Sequence, residues 1–285
     1  MNPRTGSIVR RAAIGCSAWL ALAMLLAPRA RGQVSESLRA GCDARQVPGC
    51  ADLGRYYDSN EGVGPAASIG YFTRHTDSLR TECDRDVVPA CLSLGRHYEE
   101  GQGVVKNGAT AGALYLKGCS LGSGMACGLR GDLYRRGVSV RTDLTIAAAS
   151  FRQGCGQNNG GACLSLGEMQ LSGEGMQPDI RAAIVSFNRG CELGWSGACL
   201  QAGQIYGNAN AIGLNYPAEA AAYRRACDLL NALGCVGLGM MYERGNGLMI
   251  NPAQARVLYQ KACDLGVRRA CGEVLRLHES SWGTR

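Results

Sequence analysis

Lysine is nearly missing from this chain. Lys106, Lys117 and Lys261 are the only three among 30 basic residues, so the other 27 are arginine. Large rings are scarce too: aromatics make up 6% of the sequence, with 3 Trp and 3 Phe, so a core cannot rest on them alone. The three histidines, His75, His97 and His278, lie at least 22 residues apart. That spacing excludes the H-x-H and H-E-x-x-H patterns of zinc sites. No C-x-x-C occurs, which removes the local signature of zinc ribbons and c-type haem attachment. Gly-x-Gly recurs without a following Gly-Lys-Ser/Thr, which excludes a phosphate loop. No cofactor is implied. The apolar run Ala12–Ala27 covers 16 residues, short of the roughly 20 needed to cross a bilayer.

That run belongs to a leader. Met1–Arg11 is positively charged, Ala12–Ala27 is apolar, and Ala30-Arg31-Gly32 places small residues at −3 and −1 of a cut before Gln33. Together they predict a secretory signal peptide over 1–32, lost at about Gly32/Gln33 with its Cys16. The mature chain, 33–285, is then expected in the periplasm or outside the cell, with no stable membrane span. The leader holds five arginines and no acid. Taking five from 30 leaves 25 basic against 23 acidic residues, or +2 in place of +7. Nucleic-acid binding loses its electrostatic argument.

The remaining 14 cysteines are abundant and regular. They form seven pairs, each eight residues apart: Cys42 and Cys50, Cys83 and Cys91, Cys119 and Cys127, Cys155 and Cys163, Cys191 and Cys199, Cys227 and Cys235, Cys263 and Cys271. Successive pairs begin 41 residues apart once and then 36 apart five times. Such a period means a stacked array.

Other positions recur in phase. Four residues after the second Cys stands Gly54, Gly95, Gly131, Gly167, Gly203 or Gly239, and three further Tyr57, Tyr98, Tyr134, Tyr206 or Tyr242. Cys91, Leu94, Gly95 and Tyr98 share one face of a helix, here helix A. Gly101, Gly137, Gly173 and Gly245 supply a left-handed stop. Asn107, Asp143, Asp179, Asn215 and Asn251 fit the cap of a second helix, helix B. Eight residues beyond each cap comes Tyr115, Phe151, Phe187, Tyr223 or Tyr259, and four beyond that the next pair's first Cys. The Gly inside helix A costs about 1 kcal/mol relative to Ala, so close packing has to justify it. Leu275 takes its place after the last pair.

Paired thiols at this spacing could bind metal or form disulfides. Export and an even count favour seven sequential disulfides, each joining the end of helix B to the start of the next helix A.

The stretch Gly95-Arg96-His97-Tyr98-Glu99-Glu100-Gly101-Gln102-Gly103-Val104 resembles the LG-x-x-Y-x-x-G-x-G-V core of SEL-like repeats, relatives of tetratricopeptide repeats. Met240-Met241-Tyr242-Glu243-Arg244-Gly245-Asn246-Gly247 matches that core again, and Ala226-Cys227-Asp228-Leu229 resembles its helix B ending. The paired cysteines are similar to those of secreted cysteine-rich Hcp-type proteins. The resemblance implies an all-α, right-handed α/α solenoid of helix hairpins with a disulfide at each junction. It would hold about six repeats of 36 residues and a C-terminal capping helix. It also implies a label, penicillin binding with weak β-lactamase activity, and so a β-lactam or peptidoglycan-like ligand. The residues three before each lysine are Gly103, Leu114 and Leu258, so the S-x-x-K of serine β-lactamases is absent.

A binding scaffold for a protein or peptide is the leading expectation, because stacked hairpins present an extended inner surface. Helix A positions five and nine after the Cys vary between repeats: Arg96/Glu100, Asp132/Arg136, Glu168/Ser172, Gln204/Asn208 and Met240/Arg244. Arg96, Glu100, Asp132, Arg136, Glu168, Gln204, Asn208 and Arg244 are the candidate partner-binding residues. His97, His278 and the acidic pairs Glu99-Glu100 and Asp84/Asp86 read as surface, packing and solvated positions.

Overall fold

A computed structural model describes residues 65–280, all of whose regular elements are helices. The leader, Cys42, Cys50 and the helix A expected after Cys50 lie outside these residues. The described part falls in two compact units, one ending at Ser78 and taking in Gln102–Val104, the other formed by Leu79–Gly101 and the chain from Val105 onward.

The second unit is a run of hairpins. Helix A is α2 (Val88–Glu100), α4 (Gly124–Arg136), α6 (Gly160–Ser172), α8 (Ser196–Tyr206), α11 (Ala232–Arg244) and α13 (Arg268–Ser280). Helix B is the C-terminal part of α1 (Pro65–Asp84), then α3 (Gly108–Ser120), α5 (Leu144–Gly156), α7 (Ile180–Glu192), α10 (Tyr216–Asp228) and α12 (Pro252–Asp264). A four-residue helix, α9 (Ala209–Ile212), interrupts one turn. From α2 onward each long helix packs on its chain neighbour, and helix A also touches the next helix A from α4 to α11.

The recurrent residues act as the spacing predicts. Gly101, Gly137, Gly173 and Gly245 end helix A with φ of 81°, 67°, 78° and 76°. Asn107, Asp143, Asp179, Asn215 and Asn251 each accept an amide hydrogen of the first helix B turn through the side chain. Their own amides donate to the carbonyls of Tyr98, Tyr134, Gln170, Tyr206 and Tyr242. This tie closes every described A–B turn. It survives where Gln170 replaces Tyr, because the carbonyl is the partner. It also survives where Ala209-Asn210-Ala211 replaces the usual turn. There α8 ends in Gly207 at φ −82°, and Asn208 caps the inserted α9.

The glycine inside helix A makes room for a ring. A Cβ on Gly95, Gly131, Gly167, Gly203 or Gly239 would fall within 2.5 to 2.8 Å of the aromatic that follows it in helix B. Tyr115, Phe151, Phe187 and Tyr259 are 0–1% exposed as a result. Each such burial contributes roughly 1.5–3 kcal/mol.

Six disulfides pin the B–A turns: Cys83–Cys91, Cys119–Cys127, Cys155–Cys163, Cys191–Cys199, Cys227–Cys235 and Cys263–Cys271. The seventh expected bridge, between Cys42 and Cys50, falls outside the described residues. A small pair sits beside each described bridge from Cys119–Cys127 onward. Gly118, Gly154 and Gly190 face Ala126, Ala162 and Ala198, where a Cβ would meet the alanine Cβ at 2.7 to 2.9 Å. In the next hairpin the order is reversed, Ala226 facing Gly234 at 2.5 Å. The last pair, Ala262 and Ala270, has no glycine, and its bridge has the widest Cα separation, 4.9 Å against 4.5–4.7 Å elsewhere.

Three expectations need correction. His97 is not a surface residue: it is 7% exposed, in the register that holds buried Leu133, Met169, Ile205, Met241 and Leu277 in the other repeats. His278 is exposed, and Leu277 beside it fills the core. Glu99 is not on a solvated face, because its side chain is only 14% exposed.

Candidate functional site

The second unit repeats one frame and varies what helix A carries. Position eight after the helix A cysteine decides how neighbouring repeats are tied. Where helix B supplies a tyrosine, this position can be glutamate: the Tyr115 hydroxyl donates to Glu99 at 2.9 Å and the Tyr259 hydroxyl to Glu243 at 2.8 Å. Burial, reinforced by Glu99, holds the Tyr115 phenol protonated far above its ordinary range, and burial with Glu243 does the same for Tyr259. Where helix B supplies Phe151 or Phe187, no hydroxyl needs an acceptor, and Arg135 or Leu171 stands instead.

The same position reaches the next helix A. Arg135 pairs with Glu168 at 3.0 Å, and Glu243 pairs with Arg276 with the charges reversed. Arg135 also binds Glu174 at 2.8 Å, which holds that carboxyl below its usual range. Burial pushes the Glu243 carboxyl up, but the Tyr259 hydroxyl and the Arg276 guanidinium together outweigh it and leave the group lowered. Glu99 would face Asp132 in this register. Arg136 reaches Glu99 at 3.0 Å in its stead, and burial raises the Asp132 carboxyl despite Arg136 and Arg135.

On the helix B side, Lys117 donates to the Cys83 carbonyl at 2.6 Å and pairs with Asp86 at 3.0 Å. Arg225 donates to the Cys191 carbonyl at 3.0 Å. Cations there satisfy the last carbonyls of the preceding helix B.

The predicted binding residues therefore divide. Arg136 and Glu168 take part in ties between repeats, Asp132 is half-buried among them, and Asn208 caps α9. Arg96, Glu100, Gln204 and Arg244 are exposed. Of the predicted disulfide residues, Cys42 and Cys50 lie outside the described residues, and the other 12 are all bridged as expected. Sequence reasoning took Glu99 for a solvated residue and passed over Arg135 and Glu243. The signal for the two glutamates was the pairing of Glu with Tyr 16 residues later, at Glu99/Tyr115 and Glu243/Tyr259.

Two concave regions stand out. One, of about 870 Å³, lies over the A–B turns between Lys106 and Leu144. The other, about 440 Å³, lies along α11 and α13 over Tyr259. No group of three or more His, Cys, Asp or Glu among the described residues is placed to hold a metal ion. No described helix is long and apolar enough to cross a membrane.

Residues 88–123, 161–195 and 232–267 match the Sel1 repeat family. These three segments are Sel1 repeats. The hairpins between the matched Sel1 segments keep the same helix B caps, turn ties and bridges. A solved protective antigen of uropathogenic Escherichia coli with an SLR fold superposes at a TM-score of 0.66 with 24% identity, covering 87% of this chain and 52% of that one. The chain thus spans about half the length of that protein. A Sel1 repeat protein from Oxalobacter formigenes gives 0.59 and 21% identity over 72% of this chain and 82% of its own. At these identities both show the Sel1 fold alone. Helicobacter pylori cysteine rich protein B is 29% identical, covers 46% of this chain and 94% of its own, and superposes at only 0.38. No curated protein matches the sequence.

Proposed function

We propose that this Sel1 repeat protein is an exported scaffold that holds a protein or peptide on the repeated helix A surface. One observation carries the reading. Caps, turn ties, glycine–ring contacts and bridges recur from hairpin to hairpin, whereas the exposed helix A positions Arg96, Gln204 and Arg244 and the half-buried Met240 differ in charge and size. A uniform frame with varied side chains suits recognition of one extended partner. Repeats of this family generally mediate protein interactions. Six disulfides fit an oxidising compartment, which agrees with the leader expected over 1–32 and cleavage before Gln33. A seventh, Cys42 with Cys50, is proposed on the shared eight-residue spacing. No residue cluster described above favours the β-lactam chemistry of the resemblance over binding.

The test is cross-linked capture from the native envelope with the full oxidised protein. The variant Arg96→Glu/Gln204→Lys/Arg244→Glu changes exposed side chains that form no tie between repeats. It is expected to lose the captured partner while keeping its melting temperature. Undiminished capture would refute the assignment to this surface. N-terminal sequencing of exported protein is expected to begin at Gln33.

A further inference from the structure

The cavity along α11 and α13 has a charge pattern that selects its occupant. Val236, Met240 and Val267 give it an apolar lining. Of its charged groups, Glu243 and Glu273 are both bound by Arg276. Arg244 and Arg269 also line it, and neither forms an ion pair or hydrogen bond among the described residues. Three arginines against two glutamates leave the groove with a net positive charge, and Arg244 and Arg269 are the two guanidiniums outside its hydrogen-bonded pairs.

The repeat sets their separation. Arg269 stands two residues before Cys271, the register of Leu233 before Cys235, so it belongs to the start of helix A. Arg244 is the last residue of α11. Eleven residues separate the Leu233 and Arg244 registers, about 16 Å along the helix axis at 1.5 Å per residue, to which the sideways step from α11 to α13 adds a smaller part. An extended peptide covers that length in about five residues.

Building on the scaffold reading, we infer that this groove takes an extended peptide with two carboxylates about five residues apart and an apolar side chain between them. The apolar side chain enters the Val236–Met240–Val267 floor. The carboxylates meet Arg244 and Arg269, which face no competing acid that is not already bound by Arg276. Arginine favours this partner because its planar fork donates two parallel hydrogen bonds to a carboxylate.

The experiment measures fluorescence anisotropy of labelled Glu-Ser-Leu-Ser-Ser-Glu against the full oxidised protein. Saturable binding is expected, weakening with salt. Arg244→Glu and Arg269→Glu should each reduce affinity by at least about tenfold. The doubly reversed protein should prefer the peptide with lysine in place of both glutamates. Equal binding of the acidic and lysine peptides to the unaltered protein, or indifference to both reversals, would overturn the inference. A peptide array separates the two levels of argument. Retention of other peptides, sensitive to Arg96→Glu but not to Arg269→Glu, overturns this groove assignment and leaves the scaffold standing. If the array retains nothing and envelope capture also fails, both fall. A dimer in sedimentation that Arg244→Glu dissolves would give the groove to a second copy of this chain and likewise overturn the peptide.

Discussion

Gly167→Ala tests the packing rule on which the repeat frame depends. A Cβ at this position would lie 2.5 Å from Cε1, 2.7 Å from Cδ1 and 2.9 Å from Cζ of Phe187. Carbon atoms prefer 3.5–4.0 Å, so the ring must retreat by about 1 Å. Phe187 is 0% exposed and has little room to do so. Overpacking of this kind costs about 1–3 kcal/mol, and three close ring atoms place it near the top of that range. Replacing helical glycine returns about 1 kcal/mol of helix propensity. The net expectation is a loss of about 2 kcal/mol. Gly272→Ala is the control: it lies inside α13, and nothing stands within 4 Å of its Cβ site. It should stabilise by about 0.5–1 kcal/mol. Urea denaturation of both oxidised variants, followed by circular dichroism, reads the difference. The double variant Gly167→Ala/Phe187→Leu should lose less than the sum of its parts, because the smaller side chain relieves the contact. If Gly167→Ala stabilises as much as Gly272→Ala, the glycine does not exist to admit the ring.

Three further outcomes follow from the same structure. Leu230 has φ 61° at the B–A turn, where Gly122, Gly194 and Gly266 serve in other hairpins, so Leu230→Gly should raise stability by about 0.5–1 kcal/mol; a lower melting temperature would contradict the strain argument. Glu219 is 9% exposed, its Oε2 has no hydrogen-bond partner, and burial raises its carboxyl above the ordinary value. A raised carboxyl favours folding below its unfolded pKa and loses that contribution as pH rises through the folded one, so Glu219→Gln should raise the melting temperature at pH 7 and have little effect below about pH 4; an equal gain at both pH values would refute the burial account. Cys119→Ala/Cys127→Ala opens a nine-residue loop and should cost about 2.5 kcal/mol in the chain-entropy account, measured as a shift in denaturation midpoint, and an unchanged midpoint would deny the bridge a stabilising role.

The period of 36, the helix pair, its caps and its left-handed stops were legible in the chain, because each rests on short-range geometry. A cap must accept from an amide three residues on, and a stop needs positive φ wherever it occurs. The six described bridges were legible for the same reason: eight residues reach across one tight turn and no farther. The inward register of His97 was hidden. Its neighbours on helix A give no reason to bury a histidine, and only alignment of the repeats in space puts it with Leu133 and Met169. The role of Glu99, Arg135 and Glu243 was hidden too. Their partners Arg136, Glu168 and Arg276 lie 33 to 37 residues away on the next helix A, and how closely two such helices approach is settled by rings and glycines packed beneath them. Local rules along the backbone therefore determined the hairpin and its staples. Which of its charged side chains were spent on tying repeats together, and which were left facing outward, was decided only when the hairpins stacked.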